Sequence, residues 1–464
     1  MTGPRFTPGE LATATGGRWT GAAPDAAGVS TDTRTTSAGN LFVALRGERF
    51  DAHAFLAEAA GAGAVAAVVS ETWLAGRPGG APLPALAVPD TLAALGAIAR
   101  HHRRRFRVPV VGITGSNGKT TTREMVAAIL ATRGKVLRTE GNLNNEVGVP
   151  LTLLGLDETH QAAVIEMGMS HPGELARITA IAEPWIGVVT NAAAAHLEGL
   201  GSLEGVADAK AELYQGVHPG GLVVANADDP RMLRRAQASG RRLLTFAAGR
   251  GRRGDVVVLE LRSQTVEGLR FVLGIGNREL EVAIPLVGAQ NAANAAAAAC
   301  VAVAMGCSDR EIVQGLAAAR PPGRRLRLER LPSGVQLVDD CYNANPLSMG
   351  AALRTLADLA AGTPGGRAVA VLGDMLELGA FEAEAHRDLG GEAARAGVKL
   401  LAAFGPRSRA TADAARSAGI AEVFHTEDVD ALAAFVRGRL GPSDVLLVKG
   451  SRGMKLERLV EALR

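Results

Sequence analysis

Two spacings of apolar residues alternate along most of the chain. Short runs of consecutive aliphatic residues are followed by longer stretches in which apolar residues recur every three or four positions. The short runs predict buried strands, and the longer stretches predict helices with one apolar face. Strands that alternate with helices form mostly parallel sheets covered by helices, so the pattern predicts an α/β fold. The predicted strands are 41–45, 64–70, 108–113, 135–138, 162–167, 185–190, 222–226, 243–246, 335–340, 367–374, 399–405 and 444–450.

Two stretches rich in proline and glycine divide this alternation into three parts. GRPGGAPLP (76–84) predicts a loop near the end of a small α/β unit, and PPG (321–323) marks a second boundary. The Ala-rich run 292–304 between them predicts a helix. We therefore predict domains at 1–88, 89–320 and 321–464, the central one built on a parallel sheet and the third on a Rossmann-like sheet. A length of 464 residues is suited to two to four domains.

Composition narrows the class of protein further. Hydrophobic residues make up 47% of the chain but aromatic residues only 3%, which predicts aliphatic cores. The 50 basic and 47 acidic residues give a net charge of +3, which does not favour nucleic acid or a membrane as partner. The basic run HHRRRFR (101–107) is interpreted as a solvated helix end before a buried strand.

The cysteines and the N-terminal residues indicate the cellular compartment of the protein. Cys300, Cys307 and Cys341 form no C-x-x-C pair, which fits a reducing cytosol and argues against a structural zinc site. MTGPRFTPGE has no apolar core of a signal peptide, and no apolar run is long enough to span a bilayer. We expect a cytoplasmic protein without membrane insertion.

The segment GITGSNGKTTT (112–122) predicts a phosphate-binding loop. It follows the strand 108–113 and precedes a helical pattern, which is the order of strand, glycine-rich turn, Lys-Thr and helix that such loops have. Backbone N–H groups and the helix N-terminus bind phosphate there, Lys119 adds a positive charge, and Thr120 can ligate Mg²⁺. Gly112 and Gly115 give the spacing G-x-x-G-x-x-G-K-T in place of the common form. The alternative is a glycine-rich turn before an ordinary helix.

Polar residues follow other strands of the same predicted sheet. Glu166 ends the strand 162–167, and His196 follows the strand 185–190. The carboxyl ends of parallel strands meet at one edge, so these residues and the phosphate loop are expected to open on one crevice. With Thr120 they supply the kinds of ligand that Mg²⁺ accepts when a nucleotide provides the rest. Taken singly, Glu166 could be a surface carboxylate and His196 a helix cap.

Lys210 lies on an apolar helical stripe formed by Val206, Leu213, Tyr214 and Val217. A buried ammonium is costly unless it is paired or chemically altered. The alternative is a side chain whose stem packs and whose charged head reaches water. From the residues alone this alternative is favoured.

Nearly the whole chain resembles the Mur ligase family of peptidoglycan synthesis. The segments that carry the resemblance are TGSNGKTT (114–121), TEGNLNNEVGVPLTLL (139–154), IEMGMSHPGE (165–174), AHLEGLGSLEGVADAKAEL (195–213), GAQNAANAAAA (288–298), DDCYNANPLSM (339–349), LGDMLELG (372–379) and LVKGSRGMKLE (447–457). The last three and the block NLNNEVGVP (142–150) resemble the member of the family that joins D-alanyl-D-alanine to UDP-N-acetylmuramoyl-tripeptide. STDTR (30–34) and FVALRGERFDAHAF (42–55) resemble its UDP-sugar domain.

The resemblance implies an ATP-dependent ligase that works through an acyl phosphate. It implies two Mg²⁺ ions, held by Thr120, Glu166, His196 and Lys210, the last if its amine is carbamylated. It reverses the interpretation of Lys210, since a carbamate would be a metal ligand. Besides D-alanyl-D-alanine and the nucleotide-linked tripeptide no partner is expected, and we expect a monomer.

The resemblance also implies the residues that contact each substrate. The catalytic residues would be Lys119, Glu166, His196, Lys210 and Arg324, with Arg325 as a neighbouring candidate for the arginine that reaches the phosphates. ATP would be bound by Thr114, Gly115, Ser116, Asn117, Gly118, Lys119, Thr120, Thr121, Asn294, Arg324, Asp340, Asn343 and Asn345, with Asn294 at the base and Asp340 at the ribose. The muramoyl-peptide substrate would be bound by Thr31, Asp32, Thr33, Arg34, Gly47, Asn142, Asn144, Asn145 and Glu146.

Two positions depart from the family pattern. Gln290 stands where His is frequent, which affects the contact to adenine or ribose, and Cys341 stands where Ser is usual. Cysteine is a weak hydrogen-bonding group of similar size, so the second change should be tolerated.

Two alternative functions remain at this point. A ligase of the same fold could add a diamino acid or glutamate, but the DNPR-type motif of the diamino-acid ligase is replaced here by DDCYNANP and GDMLELG. A phosphate-loop nucleotide switch or regulatory binding protein would need neither the NLNNEVGVP block nor a UDP-binding first domain.

Overall fold

Three β-sheets, each built from one contiguous part of the chain, organise the molecule. The structure, a computed structural model, describes residues 3–47, 50–193, 197–249, 251 and 253–464. Helices cover the sheets, so the predicted three-domain α/β architecture is confirmed. The domain boundaries at 88/89 and 320/321 stay a prediction.

The first part of the chain forms a five-stranded sheet in the order β2-β7-β6-β5-β4 and a separate antiparallel pair of β1 and β3. Strands β4 to β7 are parallel, and β2 runs antiparallel to β7. The strands are β1 (Arg5–Phe6), β2 (Arg18–Trp19), β3 (Ala26–Ala27), β4 (Val29–Ser30), β5 (Leu41–Val43), β6 (Ala66–Ser70) and β7 (Ala85–Val88). The helices are α1 (Pro8–Thr15), α2 (Leu56–Gly61), α3 (Glu71–Ala75) and α4 (Thr91–Arg103).

The central sheet has nine strands in the order β16-β15-β14-β13-β12-β11-β8-β10-β9. The strands are β8 (Val110–Thr114), β9 (Lys135–Arg138), β10 (His160–Glu166), β11 (Ile186–Val189), β12 (Leu222–Asn226), β13 (Arg242–Ala247), β14 (Val256–Thr265), β15 (Gly268–Ile275) and β16 (Arg278–Ile284). The helices are α5 (Lys119–Leu130), α6 (Gly148–Leu153), α7 (Glu174–Ala182), α8 (Leu197–Leu200), α9 (Leu203–Gly216), α10 (Pro230–Ala238), α11 (Gln290–Ala304) and α12 (Asp309–Ala318). All six strands predicted for this domain are present, and the Ala-rich run is the helix α11.

The outer part of this sheet was not predicted from the sequence. Strands β14, β15 and β16 form an antiparallel meander that extends the parallel strands. Much of β14 is exposed, including Leu259 and Leu261, so its apolar residues do not form the buried run that predicts an inner strand.

The third sheet has six strands in the order β17-β18-β22-β19-β20-β21, all parallel except β17. The strands are β17 (Arg327–Arg330), β18 (Gln336–Asp340), β19 (Ala368–Gly373), β20 (Leu400–Phe404), β21 (Glu422–Thr426) and β22 (Val445–Lys449). The helices are α13 (Pro346–Ala361), α14 (Glu382–Arg395), α15 (Arg409–Ser417), α16 (Val429–Arg437) and α17 (Glu457–Leu463). Four of these strands were predicted.

The basic run HHRRRFR joins the first domain to the central domain. The His102 ring is buried between Phe6 and Phe106 and contacts the Leu156 carbonyl oxygen at 3.0 Å. Arg105 donates to the backbone oxygen of Arg5 at 2.7 Å. The prediction of a solvated helix end is therefore wrong for His102, which is buried at the interface between the two domains, whereas Arg105 is exposed.

Hydrogen bonds between side chains also join the central domain to the third domain. The side-chain amides of Asn117 and Asn345 bond each other in both directions, at 2.9 and 3.3 Å. Gln264 donates to Asp358 at 2.8 Å. Among the residues that the structure describes, no helix combines the length and the apolar composition needed to cross a membrane.

Candidate active site

A cavity of about 840 Å³ lies where the central and third domains face each other. The central domain supplies the phosphate loop, the end of β10, the segment 142–147 and Lys210. The third domain supplies parts of three segments, 342–345, 376–378 and 451–453, together with Arg325. The phosphate loop and Glu166 therefore open on one crevice, as predicted, and Asn142, Asn144, Asn145 and Glu146 lie on its wall.

The phosphate loop, residues 115–118, connects β8 to α5. Gly118 is the N-cap residue of α5, and no side chain caps the helix there. The first N–H groups of a helix have no partner within it, so this end is suited to bind phosphate. Lys119 is folded back over the loop, with its ammonium donating to the Gly115 carbonyl oxygen at 2.7 Å.

Two loop positions require glycine. Gly115 has φ of 148°, and an added Cβ would lie 1.8 Å from the Thr190 hydroxyl oxygen. Gly118 has φ of 84°, and its Cβ would lie 2.3 Å from the Asn294 side-chain oxygen. Both positions combine a close approach with a backbone conformation that side chains disfavour.

Glu166 lies at the end of β10, beside β8, and is 2% exposed. Its backbone N–H donates to the Thr139 hydroxyl at 2.9 Å. One carboxylate oxygen accepts from Asn144 at 2.8 Å, and the other accepts from Arg123 at 3.1 Å. These bonds fix the carboxylate at the cavity wall.

Arg123 is a site residue that the sequence analysis missed. It is buried in α5 and pairs with both Glu166 and Glu124. The signal was available, since Arg123 lies three and seven residues before Val126 and Leu130, on the apolar stripe of its helix. A charged residue on such a stripe needs a buried partner.

Two lysines reach the cavity from the central domain. Burial lowers the pKa of Lys119, Glu166 opposes this shift, and Arg325 adds to it. Burial and the charge of Lys119 hold the pKa of Lys210 well below its ordinary value. Lys210 is 2% exposed and has no hydrogen-bond or ion-pair partner among the residues described. The alternative interpretation of the sequence required the charged head of Lys210 to reach water. The burial of Lys210 contradicts that interpretation.

The two arginines of PPGRR have different surroundings. Arg324 is held by Asp339 and Glu461, each at 2.9 Å, and does not line the cavity. Arg325 lines the cavity, and its guanidinium lies 4.1 Å from the centre of the Tyr342 ring. In this conformation Arg325, the second candidate, is the arginine that faces the phosphate loop.

The predicted ribose residues also have partners. Asp340 accepts from the Lys449 ammonium at 2.6 Å, and Lys449 donates as well to the Asn343 backbone oxygen at 2.9 Å. Asn345 caps α13 and pairs with Asn117. Lys449 was missed, although it stands opposite Asp340 at the end of the neighbouring strand β22. The Cys341 thiol donates to Asp339 at 2.9 Å.

Several predicted residues lie elsewhere or outside the described part of the chain. Asn294 lies under the phosphate loop, where it bonds Asn291 and Thr122. In the first domain, Arg34 pairs with Asp32, and Thr33 donates to Glu58. His196 lies outside the described residues. The cavity lining does not include Thr31, Asp32, Thr33, Arg34, Gly47 or Asn294.

The donors at the cavity fit a metal ion carried by a nucleotide. No group of three His, Cys, Asp or Glu side chains suited to a metal occurs among the residues described. Glu166 and the Thr120 hydroxyl stand at the phosphate loop, and Mg²⁺ in nucleotide sites takes one or two protein ligands and phosphate oxygens. The residues therefore fit a nucleotide-bound ion and do not form an all-protein cage.

Comparison with known proteins decides the family. The Mur ligase middle domain matches residues 113–302, and the Mur ligase glutamate ligase domain matches residues 324–452. A UDP-N-acetylmuramoyl-tripeptide–D-alanyl-D-alanine ligase from Escherichia coli K12 is 40% identical over 94% of this chain and 93% of its own length. This chain belongs to the Mur ligase family. A ligase of the same name from Bacillus subtilis is 37% identical, over 94% of this Mur ligase and 93% of its own chain.

Solved structures agree with this assignment. A crystal structure of MurF from Acinetobacter baumannii has a TM-score of 0.89 and 34% identity, covering 100% of this Mur ligase and 99% of that chain. The MurF ligase from Thermotoga maritima, solved in complex with ADP, has a TM-score of 0.83 and 28% identity over 94% and 96% of the two chains. The resemblance noted in the sequence is confirmed.

Proposed function

We propose that this Mur ligase joins D-alanyl-D-alanine to UDP-N-acetylmuramoyl-tripeptide at the expense of ATP, in the cytoplasm. The relatives that match over 94% of the chain carry this activity in their names. The observation that carries the proposal is the cavity of about 840 Å³ between the central and third domains. It brings together a phosphate loop, the 142–147 segment and the third-domain segments that resemble the D-alanyl-D-alanine ligase.

In the first step the substrate carboxylate becomes an acyl phosphate. A carboxylate oxygen attacks the γ-phosphorus of ATP, the bond to the bridging oxygen breaks, and ADP leaves. Two anions must approach, so positive charge on the transferring phosphoryl is the main requirement. Lys119 would release the Gly115 carbonyl oxygen to reach the phosphates. Arg325, which has no carboxylate partner among the described residues, would neutralise charge from the third domain.

In the second step the amide forms. The neutral amine of D-alanyl-D-alanine attacks the acyl carbon, phosphate leaves, and the nitrogen loses a proton. Because water hydrolyses an acyl phosphate, the cavity must exclude water during this step. The third domain already lies against the phosphate loop through Asn117 and Asn345, which supports a role in closing the site.

We propose that Thr120 and Glu166 hold the Mg²⁺ ion that accompanies ATP. That ion would supply further charge neutralisation at the phosphates. Arg123 and Asn144 orient the Glu166 carboxylate for this role. A second ion at Lys210 and His196 is a further part of the proposal, supported by the burial of Lys210.

One assay tests the proposed function. ADP release is measured after mixing the protein and ATP with UDP-N-acetylmuramoyl-tripeptide and one amine at a time. We expect D-alanyl-D-alanine to support turnover, and a diamino acid given with UDP-muramoyl-dipeptide not to. Faster turnover of the second pair would assign the chain to the preceding ligase of the family. ADP release that needs no amine would instead favour a nucleotide switch.

A further inference from the structure

The chain that follows β11 lies directly against the phosphate loop. We call residues 190–193 the strand-end segment. The Ser116 N–H donates to the Asn191 backbone oxygen at 3.0 Å, and the Ser116 hydroxyl donates to the Ala193 backbone oxygen at 3.0 Å. The Ala193 N–H donates to the Ser116 hydroxyl at 2.9 Å. The first half of the loop is therefore paired with a second piece of the chain.

Asn191 continues this pairing with its side chain. Its amide oxygen accepts from the Asn117 N–H at 3.0 Å, and its amide nitrogen donates to the Asn117 carbonyl oxygen at 3.1 Å. The carbonyl oxygen has a second donor in the Thr190 hydroxyl, at 2.5 Å. The Asn117 N–H has no acceptor besides Asn191 among the residues described. One half-buried side chain thus bonds both backbone polar groups of a single loop residue.

The strand-end segment is itself fixed from its other side. The Asn226 side chain donates to the Thr190 backbone oxygen at 3.0 Å, and Asp229 accepts from the Ala192 N–H at 2.8 Å. Asn226 ends β12, the strand beside β11, and Asp229 caps α10. The sheet therefore sets the position of the segment, and the segment can serve as a rigid support for the loop.

The bonds to the Asn117 carbonyl oxygen also determine the direction of the next N–H group. In a trans peptide group the C=O and the following N–H lie in one plane and point in opposite directions. Since the Asn117 C=O points to the strand-end segment, the Gly118 N–H points away from it. The Gly118 N–H has no partner in the described part of the chain, and it precedes the unpaired N–H groups that open α5.

This peptide group is free to turn over unless something holds it. A turn of the peptide between Asn117 and Gly118 changes ψ of the first residue and φ of the second. Glycine adopts both signs of φ with little steric cost, so Gly118 does not oppose the turn. After such a turn the carbonyl oxygen, and not the N–H, would face an incoming phosphate. The side-chain bonds of Asn191 and Thr190 are what oppose it.

We infer that Asn191 is a positioning residue for the nucleotide. It keeps the peptide group between Asn117 and Gly118 in the orientation that offers an N–H to a phosphate oxygen before the nucleotide arrives. In this role it acts through the backbone of Asn117 and not through contact with a substrate. The inference rests on the proposed function for the identity of the nucleotide as ATP.

The test begins with Asn191→Ala, which removes both bonds to Asn117. The affinity of a ligand falls with the fraction of protein in the binding-competent form. The KM for ATP should therefore rise by about five- to a hundredfold, the range for two net hydrogen bonds. The kcat at saturating ATP should stay within a few-fold of wild type, because bound nucleotide restores the loop. The KM values for the nucleotide-linked tripeptide and for D-alanyl-D-alanine should not change.

Two measurements report on the loop without turnover. Calorimetric titration with ADP should show the same loss of affinity as the KM for ATP. Amide hydrogen exchange of a peptide that covers residues 114–121 should be faster in nucleotide-free Asn191→Ala than in wild type. Saturating ADP should remove most of that difference. A residue that only stabilised the fold would not give a difference that ADP removes.

Two further variants make the result specific. Asn191→Asp keeps the size of the side chain and the acceptor for the Asn117 N–H, but it places an oxygen against the Asn117 carbonyl oxygen. It should raise the KM for ATP at least as much as Asn191→Ala. Asn277→Ala changes an exposed asparagine in the turn after β15, outside the cavity, and should alter none of these quantities. Circular dichroism and the unfolding midpoint establish that each variant is folded.

The outcomes separate the inference from the proposed function. An Asn191→Ala enzyme with the wild-type KM for ATP and wild-type exchange in the loop overturns the inference while the function stands. Equal increases in all three KM values together with a lower unfolding midpoint would show a general structural role, which also overturns it. A wild-type enzyme that releases no ADP with D-alanyl-D-alanine contradicts the proposed function. The ADP titration and the exchange experiment would still test Asn191 in that case.

Discussion

Two cations are buried on apolar helix faces near the phosphate loop, but their surroundings differ. Arg123 on α5 pairs with Glu166 and Glu124, whereas Lys210 on α9 has no partner among the residues described. A buried charge whose partner is missing destabilises a protein by about 3–5 kcal/mol. A charged ammonium at Lys210 is therefore strongly disfavoured. Arg123 therefore orients a carboxylate, while Lys210 requires another explanation.

The phosphate-loop lysine provides the first prediction. Lys119→Ala should leave the fold intact and lower kcat by on the order of 10² to 10³, because one electrostatic contact to the transferring phosphoryl is lost. Steady-state ADP release measures the effect. Lys135→Ala removes a surface lysine paired with Asp157 and serves as the matched control. Activity of Lys119→Ala within a few-fold of wild type would contradict the role given to Lys119.

The second prediction is that Lys210 is carbamylated in the active enzyme. Its lowered pKa favours the neutral amine, which is the form that reacts with CO₂, and the carbamate supplies oxygen ligands of the kind Mg²⁺ prefers. Lys210→Ala and Lys210→Arg should both be nearly inactive, and added short carboxylates should restore part of the activity of Lys210→Ala only.

Crystallography decides the matter directly. A ligand-bound crystal grown in the presence of CO₂ should show density beyond the Lys210 amine, next to His196 or a metal. An unmodified lysine in a well-ordered crystal of this kind would rule out the carbamate.

At the residue scale, the sequence predicted the central-domain part of the cavity better than the third-domain part. The phosphate loop and Glu166 follow from strand ends, which are local patterns, whereas the helix stripe of Lys210 favoured a charged head in water and only the family resemblance placed Lys210 at the site. The choice between Arg324 and Arg325 does not, because adjacent residues point to different sides and only the fold shows which one Asp339 holds. The Asn117–Asn345 contact joins residues far apart in sequence, so no local pattern could indicate it.

At the scale of elements, α12 shows how one carboxylate can stabilise two helices. Glu311 completes the capping box of α12 with Ser308 and also pairs with Arg133, just after the end of α5. The bonds to Arg133 and Ser308 hold the pKa of Glu311 at about 2, against an ordinary value of 4.5. Glu311 is therefore a link between the two helices that flank this side of the central sheet.

The third prediction follows from this shift. A carboxylate with a lowered folded pKa stabilises the protein above its unfolded pKa, and this contribution is lost as the pH falls through the folded value. Glu311→Gln should therefore lower the unfolding midpoint near pH 7, and the gap to wild type should narrow as the pH falls from about 4.5 towards 2. Urea unfolding at a series of pH values measures the gap. Glu267→Gln, in the exposed turn after β14, is the control, and a gap independent of pH would contradict the assignment.

The same scale shows which elements a sequence can reveal. Buried parallel strands such as β12 appear as continuous apolar runs, and β12 was predicted with its observed ends. Strand β21 was missed because none of its residues is fully buried and its sequence, EVFHT, mixes polar and apolar residues. Edge strands and meanders are stabilised by their neighbours, so their own pattern is weak.

At the scale of the whole molecule, the third domain meets the phosphate loop through one pair of amides. Asn117 lies within the loop, and its backbone bonds Asn191 and Thr190. Its side chain reaches Asn345, the residue that caps α13. A change in the position of the third domain would therefore act directly on the phosphate loop.

The fourth prediction isolates this contact. Asn345→Ser keeps a good helix cap but loses the amide, so α13 should remain stable while the link to Asn117 is broken. We expect a higher KM for ATP. A double-mutant cycle combines this change with Asn117→Ala and compares the KM values for ATP. The coupling energy between the two side chains should be about 0.5–1.5 kcal/mol, the usual net value of such hydrogen bonds. Strictly additive effects would mean that the two residues act independently.

The interface between the first two domains has a consequence for folding during synthesis. One hydrophobic cluster includes Phe6 and Leu41 of the first domain together with Val110 and Leu153 of the central domain. Arg103, at the same interface, also donates to the Ala182 backbone oxygen. When the last strand of the first domain, β7, has been made, the cluster of Phe42, Leu56 and Val69 can form, but the cluster that includes Phe6 and Leu41 is still incomplete. It has to wait for about a further hundred residues, roughly 5 to 20 s at ordinary translation rates, with apolar surface exposed to chaperones.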